Sequence, residues 1–338
     1  MSTLLRGRTA RSLSGLTAAA VATAGLLAVS SAPAHADTTA PVLKWEISQR
    51  FDDHLSTHVL SGGATEDASG VVTFKDGFGY YDPSDGSTWM SYTGSVAGSF
   101  VAAGATQYTV TLADPIVAVD DSGNGSISAL VSAWNTGGMG NPPASTTPAR
   151  VVVTTFTKTA WAASPGGPSL TATPHWAGVL PPNSAESAAL GIPANQPVDG
   201  KSFAASFLGQ LTPGVRAHFY ASGSGSDPLK PPAPFTMEAP KSDATLTTDW
   251  AKEPKAGKKA KLEVTVSGVL GTPTGQVTVT AKRKGAKQAK VVSATLANGS
   301  ALVTLPKLKP GKWAFTVHYA GDGATKEATQ TLDLRVSR

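Results

Sequence analysis

Tyr108-Thr109-Val110-Thr111-Leu112 is the stretch whose reading decides the fold of the N-terminal two-thirds of the chain. β-Branched residues are stiff at χ1 and fit a pleated surface better than a helix, so the run reads as a β-strand. Three further runs share its character: Val71-Val72-Thr73-Phe74, Trp89-Met90-Ser91-Tyr92 and the segment from Arg150 to Thr155. Gly, Asp and Ser clusters bound each of them, which is how turns punctuate an antiparallel sheet. Ahead of these strands the pattern changes. Trp45, Phe51, Leu55 and Val59 recur at spacings near three and four, predicting an amphipathic helix of about four turns between Leu43 and Val59. The expected first domain is mainly β, an antiparallel sheet with a helix at its start.

Pro- and Gly-rich segments organise the remainder of that domain. Gly137 to Pro148 and Pro165 to Pro197 read as long surface loops, the latter a lid or a decoration. Pro228, Pro231, Pro232, Pro234 and Pro240 crowd a stretch of little periodicity, which predicts the end of the domain and an extended linker. Beyond Pro240, short strands are expected at 261–266, 276–282, 289–296, 300–305, 312–319 and 329–336. Turns fall between them at Gly271-Thr272-Pro273, Asn298-Gly299, Lys309-Pro310-Gly311 and Gly321-Asp322-Gly323. Short strands at this regular spacing predict a β-sandwich.

Charge divides the chain at the same place. Asp37 to Pro240 holds 8 Lys plus Arg against 16 Asp plus Glu, whereas Lys241 to Arg338 holds 17 against 7. An acidic domain is thus followed by a basic one, which suits either an anionic partner such as a wall polymer or a merely solvated Lys-rich surface. Arg6, Arg8 and Arg11 precede an uncharged apolar run from Leu16 to Val29 and then Ala34-His35-Ala36. That order predicts a signal peptide over residues 1–36 and export. No later run is apolar for long enough to span a bilayer, and no sorting signal of the LPxTG kind is seen, so a secreted or envelope-associated protein is expected. With no cysteine in the sequence, disulfides and thiolate metal sites are excluded.

Motifs for catalysis are missing: there is no G-x-S-x-G elbow, no H-E-x-x-H and no phosphate-binding glycine loop. The expectation is a binding protein and not an enzyme. Nucleic acid is not an expected partner, because the basic domain carries no recognition motif. Asp120-Asp121-Ser122-Gly123-Asn124-Gly125 has the look of a calcium loop but lacks its closing bidentate carboxylate, and reads better as a hairpin turn.

Several ordered motifs resemble the Htaa family of haem-binding domains. They are Leu43-Lys44-Trp45-Glu46-Ile47 with Arg50-Phe51, Gly62-Gly63-Ala64, Tyr81-Asp82-Pro83, Tyr92-Thr93-Gly94-Ser95-Val96, Leu112-Ala113-Asp114-Pro115, Phe219-Tyr220 and Asp227-Pro228-Leu229. The resemblance spans residues 41–239. Residues 242–338 resemble bacterial immunoglobulin-like repeats through Gly271-Thr272-Pro273-Thr274-Gly275, Leu308-Lys309-Pro310-Gly311-Lys312-Trp313 and Tyr319-Ala320-Gly321-Asp322-Gly323. The second resemblance implies a spacer or adhesion module.

The first resemblance implies haem as cofactor, held by a tyrosine on the first helix and supported by a histidine near the middle hairpin. Here the helix position is His54, and Ala102 to Gln107, where the supporting residue would lie, contains no histidine. Neutral imidazole also binds haem iron, so His54 is the candidate axial ligand, oriented by Asp53 or a backbone carbonyl. His58 follows at i+4, and on a continuous helix the two imidazoles would share a face, as in a simple metal pair. His175 and His218 are not placed by sequence. Tyr81, Phe219 and Tyr220 are candidates for contact with a flat porphyrin, among aromatics that also suit a sheet core. Haem and haem-carrying proteins are the expected partners in iron acquisition; the alternative is an adhesive surface protein that keeps the fold without haem.

Overall fold

The computed structural model describes residues 40–82, 84–137, 141–164, 166–269 and 271–337. The expected signal peptide lies outside them. The first domain runs through β1 (Leu43–Trp45), α1 (Gln49–His54), β2 (Thr57–Ser61), β3 (Thr65–Glu66), β4 (Val72–Tyr81), β5 (Thr88–Thr93), β6 (Ser95–Ala102), β7 (Ala105–Val119), β8 (Asn124–Asn135), β9 (Ala144–Ser145) and β10 (Ala149–Thr157). It continues through β11 (Ala162–Ser164), β12 (Gly167–Ala172), α2 (Ala185–Ala189), α3 (Ala205–Gln210), α4 (Pro213–Arg216) and β13 (Phe235–Glu238). Among the described residues these strands build a 13-stranded sheet along β10-β8-β7-β5-β4-β1-β13-β12-β11, with β2 joined through β6 to β7. The pairings are antiparallel.

β7 is the hub, and Asp114-Pro115 is where it changes partners. Its first part pairs with β6 from Ala105 to Ala113, and its last part pairs with β5 from Ile116 to Val119. Proline cannot donate to a ladder, and Asp114 turns into the left-handed region at φ 48°. The Asp114 amide donates to the Gly94 carbonyl at 2.8 Å, and the Gly94 amide donates back to the Asp114 carboxylate. The irregularity sends β6 and β2 away from the main path and carries α1 with them. At the other end of β7, Asp120 to Gly125 is a hairpin turn closed by the Asn124 amide on the Asp120 carboxylate at 2.7 Å.

The expected linker from Pro228 to Pro240 instead carries β13, which pairs with β1 and β12 inside the sheet, and two further expectations are corrected. The predicted four-turn helix is a strand, a short helix and a second strand. Leu43, Trp45 and Ile47 are all buried, which is the period-two signature of a strand; Val59, assigned to the helix face, is exposed on β2. Ile47 at φ 74° breaks the chain direction, and Ser48 then caps α1 by accepting the Phe51 amide at 3.1 Å. The predicted loop from Pro165 to Pro197 contains β12, whose Leu170 and Ala172 are buried and which pairs with β13, followed later by α2. Gly167 and Pro168 made a genuine strand resemble a turn.

The second domain comprises β14 (Thr245–Lys252), β15 (Ala260–Ser267), β16 (Gln276–Arg283), β17 (Lys290–Thr295), β18 (Ser300–Leu305), β19 (Gly311–Tyr319) and β20 (Ala328–Val336). They form two antiparallel sheets, β14-β15-β18 and β17-β16-β19-β20. The six strands read from sequence are present within a residue or two. β14 is the strand missed. Its alternate residues are only half-buried, as on a sheet edge, so its pattern is weak. Each domain has its own apolar cluster, one ending at Ala239 and the other starting at Ala260.

Candidate functional site

Three polar side chains meet beside α1. His54 is the last residue of that helix, Tyr108 stands on β7, and His218 follows α4 in a turn where its amide donates to the Val215 carbonyl at 3.1 Å. The Tyr108 hydroxyl lies 2.6 Å from His54 Nε2 and 2.8 Å from His218 Nε2. Arg50, one helical turn before His54, donates from Nε to His218 Nδ1 at 3.3 Å. Phe100, paired with Tyr108 across the β6–β7 ladder, stacks on the His54 ring with centroids 4.5 Å apart.

Proton positions follow from Arg50. A guanidinium only donates, so His218 Nδ1 must accept, and a neutral His218 carries its proton on Nε2. That proton points to the Tyr108 oxygen, which leaves the phenol to donate its own hydrogen to His54 Nε2. A directed chain therefore runs Arg50, His218, Tyr108, His54. At its end His54 Nε2 is engaged, while Nδ1 has no hydrogen-bond partner among the described residues.

Electrostatics keep the chain neutral beyond its arginine. Burial, then His54, Arg50 and Lys230, push His218 down to about 3. Burial raises the Tyr108 phenol to about 12, against the opposing pull of Arg50. Burial and Arg50 also lower His54. At neutral pH the group is two uncharged imidazoles bridged by a phenol, a set of N and O donors suited to a transition metal or a haem iron.

Of the residues read from sequence, His54 alone stands in this cluster. His58 does not share a helix face with it, because α1 ends at His54 and His58 is on β2; the expected i,i+4 pair is not formed. Its Nδ1 instead lies 2.6 Å from Glu66 Oε1. Asp53 makes no hydrogen bond to His54; Tyr108 takes the orienting role. Phe219 is fully buried against the edges of Phe203 and Phe207, and Tyr220 is buried beside it. Tyr81 packs on Trp161 at 4.2 Å. The structure brings none of these three rings into contact with His54. His175 is held elsewhere by Thr155 and Thr157.

Sequence reasoning missed Tyr108 and His218. Tyr108 is the residue immediately after the segment Ala102 to Gln107 and stands opposite His54. His218 precedes Phe219-Tyr220, and no local pattern marks it in the sequence.

Residues 41–204 match the family model described as Htaa, and residues 246–337 match the bacterial Ig-like domain (group 3). No curated protein matches the chain significantly. Among solved structures, the C-terminal domain of HtaA from Corynebacterium glutamicum is similar at 19% identity, covering 41% of this chain and 82% of that one, with a TM-score of 0.33. A domain-swapped dimer of a histidine-to-alanine variant of that domain is similar at 19% identity, covering 35% and 67%, with a TM-score of 0.27. The chicken CNTN1 FN1–FN3 domains match at 12% identity, 72% and 94% coverage and a TM-score of 0.22. At such scores no residue correspondence carries over from these structures. His54 and Tyr108 fall inside the Htaa match and His218 beyond its end. The chain is thus an Htaa domain over residues 41–204 followed by a bacterial Ig-like domain over residues 246–337.

Proposed function

We propose that the first domain binds haem outside the cell, with His54 as the axial ligand, in the service of iron acquisition. The Htaa match supports haem as the ligand class. The observation that carries the residue assignment is the state of the His54 ring: one nitrogen is held by Tyr108 and the other is unengaged. Metal-ligating imidazoles donate their second ring N–H, so ligation through Nδ1 would place the His54 proton on Nε2 facing the Tyr108 oxygen and reverse the direction of that hydrogen bond. The donor set also fits, because histidine and tyrosine both serve as axial ligands of haem iron. Phe100 supplies an aromatic surface against the ligand ring.

Tyr108 is the second candidate ligand, since His218 Nε2–H already points at its oxygen. Its raised pKa favours the phenol at neutral pH and so favours His54 as the ligand. Haemin titration of the full chain, followed at the Soret band, tests the reading. Saturable binding that His54→Ala weakens or shifts, with Tyr108→Phe retaining it, is the expected result. Loss only in Tyr108→Phe would move the ligand to the phenolate. Absence of saturable binding would favour an adhesive surface protein.

The Ig-like domain is proposed to hold the chain near an anionic envelope polymer. A groove of about 600 Å³ at the ends of β16, β19 and β20 is lined by Lys282, Arg283, Lys284, Lys312 and Arg335 around Trp313, with Asp333 the acidic member. Binding to purified cell wall that weakens as salt rises from about 0.05 to about 0.5 M is expected. Salt-independent retention would count against a charge-based contact.

A further inference from the structure

Around His58, three side chains capable of ligation converge from different elements. Asp52 on α1, His58 on β2 and Glu66 on β3 each offer a donor atom, and these atoms all lie within 4.8 Å of one another. None of the three side chains is fully exposed. His58 Nδ1 and Glu66 Oε1 are 2.6 Å apart, with side chains 8% and 17% exposed.

Two carboxylates here share a single imidazole. Asp52 has no side-chain hydrogen bond and no ion pair among the described residues, and its carboxylate lies against the Cα of Gly70, where an added Cβ would meet it at 2.4 Å. His58 Nε2 is buried and unpartnered as well. A half-buried carboxylate without a donor is costly, and a second carboxylate close by adds repulsion. One imidazole, cationic only when protonated, is an incomplete answer to both. A divalent cation held by His58 Nδ1 would offset both carboxylates, with Nε2 remaining on the far side of the ring.

We propose that Asp52, His58 and Glu66 form a binding site for a first-row divalent cation, of the zinc class. One imidazole nitrogen and two carboxylate oxygens make a mixed N/O set, with a fourth position for water, which suits Zn²⁺ better than the all-oxygen preference of Ca²⁺ or Mg²⁺. Tetrahedral bonds near 2 Å put ligand atoms about 3.3 Å apart. The His58–Glu66 hydrogen bond must therefore open slightly while Asp52 draws in, within the reach of side-chain rotation. The ion would stand between His58 Nδ1 and Glu66 Oε1 and pin α1 to β2 and β3. This site is separate from the His54 cluster and does not depend on haem binding.

Calorimetric titration of the full chain with ZnCl₂ tests the proposal, alongside Asp52→Asn, Glu66→Gln and His54→Ala. The asparagine and glutamine variants keep shape and remove charge; far-ultraviolet circular dichroism checks that they fold. The expected result is one equivalent of Zn²⁺ bound, at least about tenfold weaker in Asp52→Asn and in Glu66→Gln, unchanged in His54→Ala and not competed by millimolar Mg²⁺. No stoichiometric binding would overturn the site. So would binding that survives both carboxylate substitutions or that disappears with His54→Ala.

Discussion

Acidification should loosen the first domain through His218, and the size of the effect can be worked from its surroundings. In the unfolded chain this imidazole titrates near its ordinary value of 6.5, whereas in the fold burial and the neighbouring His54, Arg50 and Lys230 hold it at about 3. Between those values the unfolded chain binds a proton that the native chain refuses. Stability contributed by the neutral ring is therefore complete above pH 6.5 and is lost as pH falls toward 3. Each pH unit in that window is worth up to about 1.4 kcal/mol, so a change from pH 7 to pH 5 costs up to about 2 kcal/mol. Partial exposure of the residue lowers this to roughly 1 to 2 kcal/mol. Glu46 and Asp52 act in the opposite sense, because burial raises their pKa values, reinforced at Glu46 by Asp52 and Asp53 and opposed at Asp52 by His58. A comparison with His218→Gln cancels their contribution, since both proteins carry them. Glutamine keeps an acceptor for Arg50 and a donor for Tyr108 but cannot titrate. Hydrogen exchange at the β7 amides, corrected for intrinsic rates, reports opening of this domain without interference from the other. The wild type should lose roughly 1 to 2 kcal/mol more than the variant between pH 7 and pH 5. Equal losses would refute the assignment of a buried neutral imidazole.

Tyr108→Phe removes the hydroxyl between two imidazoles and leaves His218 Nε2–H facing a hydrocarbon edge, so the first domain should lose about 1 to 3 kcal/mol in urea unfolding. Gly125→Ala should cost about 1 to 3 kcal/mol in the same measurement, because its Cβ would meet ring carbons of the buried Phe156 at 2.2 Å. Lys230 is 2% exposed, and its ammonium reaches the Tyr220 carbonyl, Ser222 and Asp227 at 3.1, 2.9 and 2.7 Å. Lys230→Ala should be the most damaging of the three, at about 3 to 5 kcal/mol, with a melting transition of the first domain that is markedly lowered or absent.

Legibility in the sequence followed the distance over which each feature is specified. Strands such as β7 and β19 alternate buried and half-buried residues along their own length, so their assignment needed no partner. The short helix reads as longer in the sequence because Trp45, Phe51, Leu55 and Val59 sit at helical spacings, although Trp45, Phe51 and Val59 lie on β1, α1 and β2 and Leu55 is the C-cap of α1; only the alternation of Leu43, Trp45 and Ile47 with polar neighbours marks β1. His54 was readable from its place after Arg50-Phe51 in a family pattern. Its partners were not. Tyr108 is 54 residues away and reaches His54 through the register of the β6–β7 hairpin, and His218 is a further 110 residues on, placed by a turn after α4. Both types of residue look ordinary in one dimension, a tyrosine opening a strand and a histidine before two aromatics. What makes them functional candidates is the chain of donors fixed by Arg50, with Phe100, paired with Tyr108 across β6 and β7, stacked on the His54 ring at its end. The end of α1 at His54 places His58 on β2, where it meets Glu66 and Asp52. The histidine spacing read on an assumed helix thus named one member of each candidate site and the partners of neither, because those partners come from distant strands and turns.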